Sequence, residues 1–80
     1  MKIFDCIINS FKNNGWKFKI EDWSETTRAI SFDRLELLTK ATSEAAAIVD
    51  NYYDPATEKN FRIEMEVWKK KYWLVYEEID

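Results

Sequence analysis

Eighty residues with one Cys, one Gly, one Pro and no His hold a single domain, 1–80, that lacks the commonest general base, the commonest metal ligand and any intramolecular disulfide. Four Trp, four Tyr and five Phe supply a core without covalent staples, since each buried aromatic withdraws roughly 150–250 Å² from water. The net charge of −3 is uneven: residues 1–40 hold seven Lys/Arg against six Asp/Glu, and residues 41–80 five against nine, so the C-terminal half is the acidic one.

Ile3, Phe4, Ile7, Ile8 and Phe11 fall on one stripe of a helix, which predicts a first helix over about 2–13. Asn13-Asn14-Gly15 then offers residues that tolerate the left-handed conformation in which helices end. From Trp16 the period changes to two: Trp16, Phe18 and Ile20 alternate with Lys17, Lys19 and Glu21, predicting a strand over 16–23 buried on one face. Ser24-Glu25-Thr26-Thr27 turns the chain. Ile30 and Phe32 continue the alternation, Leu35 and Leu37 fall in the opposite phase, and a β-bulge or a turn near Asp33-Arg34 repairs the slip. The expectation is one irregular strand over 28–40, or two shorter ones.

Thr42 and Ser43 are good N-caps and Glu44 suits the positive end of a helix dipole, so a second helix is expected to start there. Ala45, Ile48, Val49 and Tyr52 form its stripe, and Asp54-Pro55 ends it. Phe61, Ile63, Met65 and Val67 alternate with Arg62, Glu64, Glu66 and Trp68 ahead of Lys69-Lys70-Lys71 and a second apolar run, Tyr72–Tyr76. This is a β-hairpin. A two-residue loop at Lys69-Lys70 sets Val67 opposite Tyr72, Met65 opposite Leu74 and Arg62 opposite Glu77, whereas a three-residue loop pairs Val67 with Trp73 and Met65 with Val75. The order α-β-β-α-β-β defines an α+β two-layer sandwich, a four-stranded, mainly antiparallel sheet packed by two helices, with the strand order open.

No candidate for catalysis emerges. Cys6 reads as a small core residue, Gly15 alone makes no phosphate loop, and no nucleophile has a base at a recognisable spacing. The carboxylate pairs Glu64/Glu66, Glu77/Glu78 and Glu21/Asp22 have no further ligands spaced for a metal. A non-enzymatic protein without cofactor or metal is expected. Asp5, Asn9 and Ser10 interrupt the N-terminal apolar residues, unlike a signal peptide, and no run approaches the roughly 18 apolar residues of a membrane span. With its lone cysteine, the chain is expected in the cytoplasm and away from membranes.

Two constellations point to binding. Glu64, Glu66, Glu77, Glu78 and Asp80, with Asp50, Asp54 and Glu58 nearby in sequence, would present a negative field to a basic groove. Trp68, Trp73, Tyr52 and Tyr53 are the candidate aromatic anchors. The partner-binding set is therefore Glu64, Glu66, Trp68, Trp73, Glu77 and Glu78. Trp16-Lys17-Phe18-Lys19 and Trp68-Lys69-Lys70-Lys71-Tyr72-Trp73 place rings beside ammonium groups, as single-stranded nucleic acid requires, so Lys69, Lys70, Lys71 and Tyr72 form the alternative site. A third reading is an accessory subunit whose exposed aromatics form a homodimer.

Residues 41–53, Ala-Thr-Ser-Glu-Ala-Ala-Ala-Ile-Val-Asp-Asn-Tyr-Tyr, resemble a strand-to-helix segment of small phage and plasmid proteins, including anti-CRISPR antagonists of bacterial defence. The resemblance covers 13 of 80 residues and carries no functional residue over. It implies a phage or mobile-element inhibitor, a nucleic-acid mimic in the bacterial host cell that occupies a basic surface of a nucleic-acid-handling complex.

Overall fold

The computed structural model of the chain describes residues 3–52 and 60–79. Helix α1, Ile3–Asn13, buries Phe4, Ile7, Ile8 and Phe11, the stripe that its spacing predicts. It stops in a Schellman motif. Gly15, at φ 75°, donates its N–H to the Lys12 carbonyl (3.0 Å) and Trp16 donates to that of Phe11 (3.2 Å), satisfying carbonyls the helix leaves open. The indole of Trp16 then packs on the Phe11 ring, centroids 5.4 Å apart, which is the apolar contact this motif favours.

Strand β1 is shorter than expected, Lys19–Asp22, and wholly exposed. Trp16 and Phe18 pack on the core from the segment before it, whereas Ile20 remains 45% exposed. The reason is position: β1 is an edge strand, and α2 lies over β2, β4 and β3. Alternation alone therefore buried the wrong part of this segment. The turn after it is closed by Ser24, whose Oγ accepts from the N–H groups of Thr26 (3.2 Å) and Thr27 (3.0 Å).

Strand β2, Thr27–Phe32, ends well before residue 40, and helix α2 runs Leu35–Tyr52. The phase slip at Asp33-Arg34 thus marks a change of element; Leu35 and Leu37 belong to the helix. Leu38, Ala41 and Ala45, spaced three and four apart, are fully buried, so the helical period was present one turn earlier than Thr42. Thr42 and Ser43 are not caps: the Thr42 hydroxyl donates to the Leu38 carbonyl at 2.8 Å inside the helix. Glu44 likewise has no first-turn role. It accepts from the Ser10 hydroxyl and from Nδ2 of Asn14 (2.7 Å), tying α2 to the end of α1. Asp54-Pro55 lies outside the described residues.

Strands β3, Asn60–Trp68, and β4, Lys71–Ile79, form the expected hairpin with the two-residue loop. Val67 pairs with Tyr72, Met65 with Leu74 and Arg62 with Glu77. Lys69 and Lys70 have φ of 50° and 60°, positive at both turn positions as a type I′ turn demands, whose twist suits a hairpin. The described strands form a fully antiparallel sheet, β1-β2-β4-β3. Its helix-side face gives Ile30, Phe32, Leu74 and Tyr76 to the main core with Phe4, Ile7, Phe11, Leu38, Ala41 and Ala45. Phe11 is the hub, with the rings of Phe18 and Phe32 each 5.9 Å away and edge-on.

Candidate functional site

Among the described residues no helix lies on the opposite face of the sheet, yet Ala29, Trp73 and Val75 are buried there in a second small cluster. Side-chain alternation and register place Lys19, Ser31, Trp73 and Glu66 in one row across this outer face, and Glu21, Ala29, Val75 and Glu64 in the next. Small residues on β2 leave room above them. Three tryptophans fill part of it: Trp23–Trp73, Trp68–Trp73 and Trp23–Trp68 have centroids 5.6, 6.0 and 6.1 Å apart, with tilted or edge-on planes, arrangements the ring quadrupole favours. The indole N–H of Trp73 donates to the Trp68 carbonyl at 3.0 Å, fixing the central ring.

An open groove of about 770 Å³ runs beside this cluster, lined by Glu21, Asp22, Trp23, Glu66, Val67 and Trp68. Its rings come from both edges of the sheet. Carboxylates stand on both sides, and Asp22 is held by Nε of Arg28 at 3.4 Å. The ammonium of Lys69 lies 4.5 Å from the Trp68 ring centroid, within cation–π range.

Of the sequence-derived set, Glu64, Glu66, Trp68, Trp73 and Glu77 share the outer face by register. Glu78 does not. It lies on the helix side, where its Oε1 accepts from the Tyr76 hydroxyl at 3.3 Å. Burial and, secondarily, that carboxylate push the Tyr76 phenol well above its ordinary range. Trp73 is not an exposed anchor: at 5% exposure it is the floor of the cluster, while Trp68 at 48% and Trp23 at 37% present open surface.

Asp50 is exposed on α2, away from this face. Tyr53, Asp54, Glu58 and Asp80 lie outside the described residues, as does the side chain of Tyr52. Sequence reasoning passed over Trp23, although it shares the odd phase of Lys19 and Glu21, where an aromatic on a polar strand face is out of place. The alternative set is divided. Lys69 and Lys70 are exposed at the turn, Lys71 is half-buried, and Tyr72 packs against the helix-side core, so it offers no stacking surface beside Trp68.

Among the described residues no three His, Cys, Asp or Glu side chains are grouped to hold a metal, and no helix is long and apolar enough to cross a membrane. Cys6 is half-buried and forms no disulfide. No protein-family model, curated protein or solved structure matches the chain.

Proposed function

We propose that this chain is a non-enzymatic binding module whose outer sheet face docks onto a basic surface of a partner protein. The observation that carries this reading is the uncovered tryptophan cluster bordered by carboxylates: Glu21 on one edge strand, Glu64 and Glu66 on the other, and Glu77 on β4. Aromatic anchors at the centre of an interface supply burial, and a surrounding negative field steers association with a positive patch. The partner class that fits best is a protein complex that handles nucleic acid, since its substrate groove is basic. By occupying that groove, the acidic face acts as a nucleic-acid mimic and an inhibitor in the bacterial cytoplasm; residues 41–52 lie inside α2, not at a strand-to-helix junction, and lend this reading no support.

The test combines capture and competition. The tagged chain, incubated with bacterial lysate, is expected to retain a nucleic-acid-handling complex in nuclease-treated extract, and to displace labelled nucleic acid from that complex once purified. The Glu64→Lys, Glu66→Lys, Glu77→Lys triple variant should fold and lose both effects, while Glu78→Gln on the opposite face keeps them. Undiminished capture and displacement by the triple variant would overturn the reading. So would recovery that disappears on nuclease treatment, which would favour direct nucleic-acid binding.

A further inference from the structure

We propose that the tryptophan groove is a receptor for an arginine side chain presented on an extended segment of the partner. The inference rests on the binding reading above and names the chemistry that its central contact takes. Three features of the groove argue for a cation. Its open aromatic surface is contributed by Trp23 and Trp68, whose ring faces are electron-rich. The acidic side chains that register places on its face are Glu21 and Glu66, and Trp73, packed against both rings, has already committed its N–H to a backbone carbonyl. An anion would therefore meet like charge. Lys69 supplies the third: an ammonium already rests over the Trp68 ring, so this ring draws a cation within the protein itself.

Guanidinium fits better than ammonium for reasons of shape. A planar cation stacks on an indole while its edge N–H groups reach a carboxylate in a two-point fork, and it is more weakly hydrated than a lysine head. Glu21 and Glu66 stand on opposite edges of the sheet and, among the described residues, neither is engaged in an ion pair. Asp22 is already tied to Arg28, so Glu66, in the row of Trp73, is placed to receive the fork, and Glu21 on the far edge adds to the negative field. The volume, about 770 Å³, lies in the range of roughly 300–1,000 Å³ typical of ligand clefts. That is room for a long side chain together with the backbone flanking it.

The probe is a capped Gly/Ser peptide bearing spaced arginines, compared with peptides of the same length bearing lysine or citrulline, the uncharged isostere. Binding is followed by the indole N–H resonances of the four tryptophans in two-dimensional NMR. The arginine peptide should shift Trp23 and Trp68 saturably and leave Trp16 in place, the lysine peptide should bind several-fold more weakly, and citrulline should abolish the shifts. Glu66→Gln, a substitution at an exposed position, should weaken the arginine peptide by about tenfold, the factor equivalent to losing one charge-assisted contact. Trp68→Ala should do so at least as strongly, and Glu78→Gln should change nothing.

Equal binding of arginine and citrulline peptides, shifts confined to other tryptophans, or unchanged affinity in Glu66→Gln would each overturn the arginine site. If lysine binds as well as arginine, guanidinium selectivity is refuted. Loss of this site with capture of the basic complex intact would leave the broader binding reading standing, whereas loss of charge-dependent capture as well removes both.

Discussion

The Lys69-Lys70 turn holds two side-chain-bearing residues in the left-handed region, at φ 50° and 60°, where the Cβ of an L-residue costs about 1–2 kcal/mol. Glycine is free of that cost but loses about 0.5–1 kcal/mol more conformational entropy on folding. Lys70→Gly should therefore stabilise the domain by about 0.5–1 kcal/mol. Lys69→Asn recovers part of the same strain, because asparagine tolerates the left-handed well, but removes the ammonium from the Trp68 ring, an exposed contact of about 0.5–1 kcal/mol. That single change should come out near neutral. The double variant, with the Asn-Gly pair that type I′ turns favour, should gain about 1 kcal/mol, or about 4–8 °C in Tm for a domain of this size. Thermal unfolding followed by far-ultraviolet circular dichroism measures all three. A Tm for Lys70→Gly equal to or below that of the parent chain would refute the strain argument.

Phe11 is fully buried among Trp16, Phe18 and Phe32, so Phe11→Ala should cost about 3–5 kcal/mol in denaturant titrations, a large share of the roughly 4–12 kcal/mol expected of 80 residues. A loss under about 1.5 kcal/mol would show that the ring cluster is not the hub of the core. Gly15→Ala should cost about 1 kcal/mol by the same assay, through its φ of 75° alone, because a Cβ there meets nothing within 4 Å; a loss beyond about 2 kcal/mol would mean a steric clash. Burial keeps the Tyr76 phenol protonated above its ordinary pKa of 10.0, so the folded state holds a proton that the unfolded chain releases. That stabilisation is complete below pH 10 and is lost as pH rises beyond it. Chemical unfolding midpoints measured across this range should fall less in Tyr76→Phe than in the parent chain, and identical falls would refute the assignment.

The fold was most legible where one physical signal dominated. Alternation from Phe61 to Tyr76 revealed the C-terminal hairpin but left its register open between two loop lengths; with no glycine to mark the turn, the two-residue loop is fixed by packing of both strands, which Lys69 and Lys70 must then accommodate. Helix α1 was readable because its stripe and its Gly15 stop agree. The β2–α2 boundary was misread because Leu35 and Leu37 fit a period of two over three residues. Only Leu38, Ala41 and Ala45, two of them small, reveal the longer period. Strand β1 was overextended because alternation records which residues could face a core, and it cannot say how far the helices reach across the sheet. The same limit governs the site. Parity placed Glu64, Glu66 and Trp68 on one face, but which residues of β4 join them waited on the loop length, and the burial of Trp73 depends on Trp23 arriving from the end of edge strand β1, a contact between residues 50 apart in sequence.

That contact also explains how a small domain keeps a face available for binding. Most two-layer folds solvate the second face of the sheet with polar side chains; here Ala29, Val75 and Trp73 are apolar and are shielded by two half-open indoles instead of by another layer. Trp73 joins the two functions, since removing its ring strips the support from Trp23 and Trp68, which line the groove, and opens a cavity against β2. Glu21 and Glu66 are exposed and lie outside both apolar clusters. Charge substitutions at these positions should therefore change what the face binds while leaving unfolding nearly unchanged, whereas no truncation of Trp73 can separate the two. Glu21 and Glu66 are accordingly the positions at which binding can be altered independently of the fold, whereas Trp68 also shields Trp73.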